Sequence, residues 1–305
     1  MGVSPILPAS KNRTEILESV IVVATNTGLS VSIFLLCIHL IVFALVDDFR
    51  NLPGKNLASF CVALLLEYSS TLLSGVLNEG VGCYVNEIAA HYFIMSSAFW
   101  MLTMSYDVWQ TLRSSTQELI VSSGRQRKKF LLYSLWSWLM PALLTLLVFF
   151  VLPQVFQNFD LGYQDFDRKT CKFMESDMVY VFVTTVFGSI LLLNTFFFVC
   201  SVYYIFSTQS AIRSTKNTAF VTHFQLYGRL SLIMGVTWTA EFIIYYSDFD
   251  ILSVTFKIIN TFEGLFIVIA FTSRKEVLQY VKSLHVVRSL QNAPHFYHYM
   301  SVRRL

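Results

Sequence analysis

Seven apolar runs of about 20 residues or more, separated by short polar stretches, constrain this chain more than any other feature. A transmembrane α-helix needs about 20 mostly apolar residues to cross a bilayer. The composition agrees, because 55% of the residues are hydrophobic and 13% are charged, which is rare among soluble domains. We therefore predict an all-α, polytopic membrane protein folded as a seven-transmembrane helix bundle. The predicted spans are 19–46, 56–78, 84–112, 130–153, 177–206, 227–247 and 252–272.

The Lys and Arg residues predict the orientation of these spans. If the N-terminus is extracellular, the cytoplasmic segments 47–55, 113–129, 207–229 and 273–305 hold two, five, three and six of the 22 basic residues. Cytoplasmic loops carry such an excess of Lys and Arg. We therefore expect a multi-pass protein of the plasma membrane with its N-terminus outside. The net charge of +3 reflects this asymmetry, and it predicts no nucleic-acid partner.

This topology divides the chain into four segments. Residues 1–18 form a short extracellular N-terminus without the apolar core of a signal peptide, so the first span is expected to insert as its own signal. Residues 19–272 form the seven-transmembrane domain. Residues 273–290 carry an apolar stripe, which predicts a short amphipathic eighth helix lying on membrane lipid, and 291–305 form a cytoplasmic tail. Asn12 begins the one N-x-Ser/Thr sequon, whose glycosylation we weigh equally against a chance match.

The third span, within Cys83–Arg113, is more polar than lipid tolerates. A charge at mid-membrane costs about 2.5–3.5 kcal/mol even on the lenient insertion scale, so we expect this helix at the centre of the bundle. Glu67, midway along the second span, is expected to be neutral and hydrogen-bonded in the core, with contact to a ligand or ion as the alternative. The polar residues of the third span are Asn86, Glu87, His91, Ser96, Ser97, Ser105 and Asp107.

Three prolines predict local backbone features. Pro53 and Gly54 follow the first span and favour a tight type II turn, since Pro fixes φ and Gly accepts a positive φ. Pro141 removes the backbone donor to the carbonyl of Ser137, which predicts a kink in the fourth span. Pro153 is expected to end that span.

Two of the five cysteines are candidates for a disulfide. Cys83 and Cys171 lie outside the membrane in the predicted topology, Cys171 in the longest extracellular loop. Because that compartment is oxidising, we predict a bridge between them. Cys37, Cys61 and Cys200 fall within spans and are expected to stay free.

Four motifs fall in separate parts of the bundle. They are Arg50-Asn51-Leu52 with Gly54-Lys55 in the first turn, Trp138-Leu139-Met140-Pro141 in the fourth span, Gly235-Val236-Thr237-Trp238 in the sixth, and Asn260–Ile267 running into Arg274-Lys275-Glu276-Val277. Together they resemble the secretin-like and adhesion-like G-protein-coupled receptors, and most closely the insect Methuselah-like receptors. The resemblance implies a cell-surface receptor that carries the signal of an unknown extracellular ligand to a heterotrimeric G protein.

The chain departs from this group in several places. Such receptors usually carry a large extracellular domain, whereas fewer than 20 residues precede the first span. Met104 stands about where secretin-like receptors place a buried Glu, and Glu263 replaces the usual Gln of the seventh span. The rhodopsin-like signatures Asp-Arg-Tyr and Asn-Pro-x-x-Tyr are absent.

Two sets of residues are candidate sites within the bundle. Glu67, Asn260 and Glu263 form a predicted buried polar switch, with Glu263 protonated because desolvation favours a neutral carboxyl. A mixed polar and aromatic set in the outer halves of the spans suits a ligand pocket, and polar contacts within the core are an equal alternative. This pocket set is Tyr68, Glu87, His91, Glu241, Tyr245 and Lys257.

Basic residues near the predicted cytoplasmic ends are candidates for the G-protein interface, with topology and anionic lipid as the alternative explanation of their charge. They are Arg113, Arg125, Arg127, Lys128, Arg213, Lys216 and Arg229. No catalytic or metal-binding motif is present, so no enzyme activity, cofactor or metal is predicted. Two other functions stay open: a truncated receptor acting as a signalling-silent accessory protein, and an insect chemoreceptor-type channel.

Overall fold

The computed structural model describes residues 9–46, 50–77, 80–114, 123–158, 166–167, 172–173, 177–214, 235, 238 and 250–272. Almost all of these residues are helical, and they include helices in six of the seven predicted spans. Of the sixth span, Gly235 and Trp238 are described, and both are helical. The described part of the chain confirms the all-α fold class. The predicted amphipathic helix, 273–290, lies outside it.

Eight helices can be bounded among these residues. They are α1 (Ala9–Leu45), α2 (Leu52–Ser74), α3 (Val81–Ser114), α4 (Ser123–Leu146), α5 (Leu152–Asn158), α6 (Asp177–Ser214), α7 (Asp250–Thr261) and α8 (Glu263–Ile267). A π-helical turn, Leu147–Val151, joins α4 to α5, and a second, Val268–Thr272, follows α8. Two short antiparallel strands lie between α5 and α6: β1 (Phe166–Asp167) and β2 (Lys172–Phe173).

The helix α3 lies at the centre of the described bundle, as its polar sequence predicts. It packs against α2, α4 and α6, and Trp100 and Met101 in its middle turns are 0% exposed. The polar side chains between Asn86 and Asp107 are buried or half-buried. Burial against protein spares these groups the cost of facing lipid. The buried ones are Asn86, Ser96, Ser97, Thr103, Ser105 and Asp107.

Long apolar helices make up the rest of the described bundle, and α2, α4 and α6 pack directly on α3. Four described segments are long and apolar enough to cross a membrane: Ser19–Leu45, Leu52–Ser74, Gln126–Val155 and Phe182–Tyr204. They expose large apolar side chains on their outer faces, for example Phe34, Leu132 and Leu192 at 65%, 66% and 73%. Lipid tails cover such faces in a membrane bundle, so this exposure agrees with the predicted location.

The helix α2 begins at the predicted first turn. Asn51 is its N-cap, because the Asn51 side chain accepts a hydrogen bond from the Gly54 amide at 2.9 Å. The expected type II turn is therefore wrong, since Pro53 and Gly54 both belong to the helix. Pro is favoured in a first helical turn, where its missing N–H has no bond to lose, and Asn provides a strong cap.

Pro153 does not end the fourth span. The chain passes from α4, which contains Pro141, through the π-helical turn into α5, which begins at Leu152. The expectation was wrong because Pro153 is the second residue of α5. The Leu152 amide still donates to the Leu147 carbonyl, so the helix continues through the π-helical turn. Such local adjustments of a membrane helix satisfy backbone groups that a proline frees, which is why Pro153 is tolerated inside the span.

Candidate functional site

The seventh span is broken in its middle. The helix α7 ends at Thr261, Phe262 adopts φ −95° and ψ 15°, and α8 begins at Glu263. A helix break leaves backbone carbonyls and amides without intrahelical partners, and within a membrane other protein groups must satisfy them. Here α1 and α2 supply those partners.

Ser32 of α1 bridges the break. Its hydroxyl donates to the Thr261 carbonyl at 2.5 Å and accepts from the Gly264 amide at 3.2 Å. Two glycines permit this close approach. A Cβ on Gly264 would lie 2.6 Å from the Ser32 carbonyl oxygen, and a Cβ on Gly28 would overlap the Thr261 hydroxyl. The two helices are therefore in backbone contact at the break.

Glu263, the first residue after the break, accepts hydrogen bonds from two other helices. Its side chain is 1% exposed. Oε2 accepts from the Tyr68 hydroxyl of α2 at 3.0 Å, and Oε1 accepts from the indole N–H of Trp238 in the sixth span. The Tyr68 hydroxyl also lies 3.2 Å from the carbonyl oxygen of Asn260. We call these four residues the Glu263 network.

A neutral Glu263 would use every contact in this network. The Tyr68 hydroxyl has one proton, so Tyr68 cannot donate to Glu263 and Asn260 together. A protonated Glu263 can donate to Tyr68, which then donates to the Asn260 carbonyl, while the other carboxyl oxygen still accepts from Trp238. The positions of the heavy atoms permit this arrangement, and the protonation of Glu263 stays a prediction.

The sixth span is held on its other side by α6. The Trp238 indole stacks on Phe187 with the ring centroids 5.7 Å apart and 19° between the planes. A Cβ on Gly235 would lie 2.6 Å from the side-chain nitrogen Nδ2 of Asn194, so the Asn194 side chain of α6 lies close to the backbone of the sixth span. Asn194 also accepts a hydrogen bond from the Ser105 hydroxyl of α3. Contacts thus run from α3 through α6 to the sixth span.

The three residues predicted as a polar switch have different surroundings. Glu263 is at the centre of the network, and Asn260 contributes its backbone carbonyl. Glu67 accepts from the Ser97 hydroxyl of α3 at 2.9 Å, which agrees with a hydrogen-bonded Glu67. Tyr68 and Trp238 were not predicted as members of the switch. Their residue types show that they can donate, but no pattern in the sequence identifies their acceptor.

The predicted ligand pocket is described only in part. His91 of α3 contacts Thr145 of α4, Nδ1 to Oγ1, at 3.1 Å, and its ring meets Phe149 edge-on at 5.3 Å. Tyr68 belongs to the Glu263 network, and Glu87 is half-buried on α3. The pocket stays a prediction, because the remaining side chains, those of Glu241, Tyr245 and Lys257, lie outside the described part of the structure.

One end of the bundle, where α3 ends and α2 and α4 begin, presents exposed cations, and we call it the basic end. Arg113 is exposed in the last turn of α3, and Arg127 and Lys128 are exposed near the start of α4. The Arg113 guanidinium lies over the Trp109 indole, with Cζ 5.5 Å from the ring centroid. The side chains of the other predicted interface residues, Arg125, Arg213, Lys216 and Arg229, are outside the described part.

A buried carboxylate near the basic end was not predicted as a site. Asp107 of α3 is 4% exposed. It accepts from the Tyr133 hydroxyl of α4 at 3.0 Å and from the Asn56 amide of α2 at 3.4 Å. The Gln110 side-chain oxygen lies 3.2 Å from the same Tyr133 hydroxyl. The sequence shows an Asp inside a span, which marks Asp107 as a candidate. It does not show the partners of Asp107, because they belong to two other helices.

The cysteines agree with the expectations wherever they are described. Cys83 is 3% exposed and disulfide-bonded. Cys171 lies outside the described residues, so its pairing with Cys83 stays a prediction. Asn12 falls on α1, and its glycosylation also stays a prediction. The free cysteines are Cys37, Cys61 and Cys200.

Comparison with known proteins identifies relatives across most of the chain. G-protein coupled receptor Mth2 of Drosophila simulans is 28% identical over 280 residues, which are 85% of this chain and 51% of that receptor. Probable G-protein coupled receptor Mth-like 10 of Drosophila melanogaster is 26% identical over 290 residues, 85% of this chain and 48% of that protein. This chain therefore spans about half the length of these curated relatives.

A more distant relative has a much longer chain. Adhesion G-protein coupled receptor G4 of Homo sapiens is 23% identical over 273 residues, which are 88% of this chain and 8% of that receptor. Residues 18–267 match the family described as 7 transmembrane receptor (Secretin family). That region contains the Glu263 network, the Asp107 contacts and Arg113. The chain belongs to the secretin family of seven-transmembrane receptors.

Proposed function

We propose that this chain is a cell-surface receptor that transmits an extracellular signal to a heterotrimeric G protein. The observation that carries the proposal is the exposed rim of Arg113, Arg127 and Lys128 at the basic end of a secretin-family bundle. Clustered cations steer acidic partner surfaces toward such a rim and fix their register. The names of the relatives, G-protein coupled receptors, support the same class of partner.

In this proposal the basic end faces the cytoplasm, and the N-terminus lies outside the plasma membrane. The distribution of Lys and Arg supports that orientation. The predicted pocket residues then lie toward the outside, where an extracellular ligand would bind. Anionic lipid of the inner leaflet would contact basic residues that the partner leaves uncovered.

The Glu263 network is the proposed route between these two ends. The sixth span is held by the bond from Trp238 to Glu263 and by the stack of Trp238 on Phe187. In this proposal, activation displaces the sixth span and changes these contacts of Trp238. A ligand shifts such an equilibrium only through different contacts with the two states, and this network provides groups that can differ between them.

Neutralising two cations tests the interface. The variant with Arg113→Gln and Arg229→Gln is expected to recruit less G protein than the unaltered chain. Its membrane insertion should not change, because 14 of the 16 proposed cytoplasmic Lys and Arg residues remain. Recruitment is measured by resonance energy transfer from the full chain to a panel of Gα classes, and insertion by surface labelling.

The matched control neutralises Lys11 and Arg13, which lie on the opposite side of the proposed topology. It should recruit as the unaltered chain does. Normal recruitment by the Arg113 and Arg229 variant rejects the assigned interface. No recruitment by the unaltered chain across the whole panel favours the signalling-silent accessory function. The channel alternative has no support, because the chain belongs to a receptor family.

A further inference from the structure

Three aromatic rings connect α3 to α6 near the basic end. Phe197 of α6 lies 5.4 Å, centroid to centroid, from both Tyr106 and Trp109 of α3. Tyr106 and Trp109 are three residues apart and lie on one helix face, with their ring centroids separated by 5.9 Å. Aromatic pairs at these separations attract each other beyond the effect of buried area alone. We call these residues the ring cluster.

Arg113 is packed on the outer side of this cluster. It follows Trp109 by four residues, which places the two side chains on the same face of α3. The guanidinium carbon lies 5.5 Å from the indole centroid, within the range of a cation–π contact. A planar guanidinium also stacks on an aromatic face. Arg113 is therefore exposed to a partner while its orientation is restricted by Trp109.

The geometry points to Trp109 as the positioning residue for Arg113 at the G-protein interface, with Tyr106 and Phe197 fixing the indole. This inference rests on the proposed function. An exposed Arg has many rotamers, and ordering them on binding weakens affinity. Stacking on Trp109 orders the guanidinium before the partner arrives. Phe197 of α6 contacts the Trp109 indole. The orientation of the Arg113 guanidinium therefore depends on the contact between α3 and α6.

The test compares four variants of the full chain. Trp109→Leu is expected to weaken Gα recruitment about two- to fivefold, the value of one exposed cation–π contact. It should have no further effect in an Arg113→Gln background, because its effect runs through Arg113. Trp109→Phe keeps an aromatic face and should retain most of the recruitment. The readout is half-saturation in the energy-transfer titration against purified Gα subunits, at matched surface expression.

The matched control is Trp136→Leu, because Trp136 is 48% exposed on α4 and its ring packs on Phe99 at 5.8 Å. This variant loses an indole of the same size without touching Arg113, and it should recruit normally. If Trp109→Leu does not reach the surface, Phe197→Leu replaces it in the same comparison. Its expected result is a smaller loss that also disappears in the Arg113→Gln background.

Two results overturn the inference alone. One is equal recruitment by the Trp109→Leu variant and an unaltered chain that couples. The other is a loss that persists at full size in the Arg113→Gln background, which would make the role of Trp109 purely structural. Absence of recruitment by the unaltered chain across the panel overturns the proposed function, and this inference with it.

Discussion

The Ser32 hydroxyl and the Glu263 carboxyl make side-chain hydrogen bonds around the break in the seventh span. Ser32 satisfies the backbone groups that the break exposes, and Glu263 accepts from Tyr68 and Trp238. Each of these atoms has a partner on a different helix. Substitution of one residue therefore alters contacts among three or four helices, and its effect depends on which hydrogen bonds the new side chain can make.

Glu263→Gln is expected to fold and reach the surface. A glutamine oxygen can still accept from Trp238, and its amide can donate to Tyr68, which reproduces the hydrogen bonds of a neutral glutamic acid. Glu263→Ala should lower the free energy of unfolding by about 1–3 kcal/mol for each buried donor left unsatisfied. Thermal unfolding of the detergent-solubilised chain measures both variants. Loss of folding in Glu263→Gln but not in Glu263→Asp would contradict a neutral Glu263.

Gly264→Ala is expected to destabilise the chain by at least the 1–3 kcal/mol typical of overpacking. The added Cβ would lie 2.6 Å from a backbone oxygen of Ser32, so a helix must move rather than a side chain. Gly82→Ala on α3 is the control, because nothing lies within 4 Å of the new Cβ. It should be neutral or slightly stabilising. Equal melting temperatures for the two variants would contradict this prediction, because they would mean that α1 can move away from Gly264 without loss of stability.

At the scale of the elements, hydropathy was sufficient to predict the helices but not their irregularities. Apolar runs of membrane length predict helices because unpaired backbone groups are costly in lipid. The break at Phe262 was not predictable. The backbone groups that it exposes, the Thr261 carbonyl and the Gly264 amide, are satisfied by Ser32 of α1, which is distant in the sequence. The type II turn expected at Pro53 and Gly54 was also wrong. The Asn51 side chain caps α2, and both residues lie in the first turn of that helix.

In the candidate sites, the buried acidic residues could be predicted from the sequence, whereas their hydrogen-bond partners could not. Glu67 and Glu263 could be identified from the sequence, because an ionisable residue within a span requires an explanation. Their observed donors, Ser97 for Glu67 and Tyr68 with Trp238 for Glu263, could not. These donors come from other spans, and the sequence does not specify which faces of two helices meet.

The contacts of Asp107 with α2 and α4 lead to a prediction at this scale. Tyr133→Phe removes the hydroxyl that donates to Asp107 at 3.0 Å and leaves a buried carboxylate oxygen short of a donor. The expected loss is about 1–3 kcal/mol, seen as a lower melting temperature. Tyr203→Phe, at a residue 70% exposed on α6, is the matched control and should melt as the unaltered chain does. Equal melting of both variants would mean that the Asp107 contacts do not stabilise the bundle.

At the scale of the whole molecule, α3 connects the other helices through polar contacts as well as packing. Ser97 bonds Glu67 of α2, His91 contacts Thr145 of α4, and Ser105 bonds Asn194 of α6. These contacts occur at different depths along α3. Polar contacts between membrane helices contribute modestly one by one, about 0.6 kcal/mol on average, so the position of α3 depends on their number and on its buried apolar residues.

The predicted disulfide would add a covalent connection at the start of this helix. Cys83 is buried there and disulfide-bonded, and Cys171 directly precedes β2 in the sequence. Loss of a native bridge costs about 2–5 kcal/mol. We expect Cys83→Ser, Cys171→Ser and the double variant to lose surface expression and stability to the same extent, because each removes the same bond.

Non-reducing peptide mapping of the folded chain should recover Cys83 and Cys171 in one linked peptide. The control, Cys200→Ser, replaces a free and half-buried cysteine of α6, and it should keep surface expression near that of the unaltered chain. A double variant clearly less stable than either single variant would show that the two cysteines act independently. Free alkylation of Cys171 in the folded chain would contradict the pairing directly, because a cysteine in a disulfide has no free thiol to alkylate.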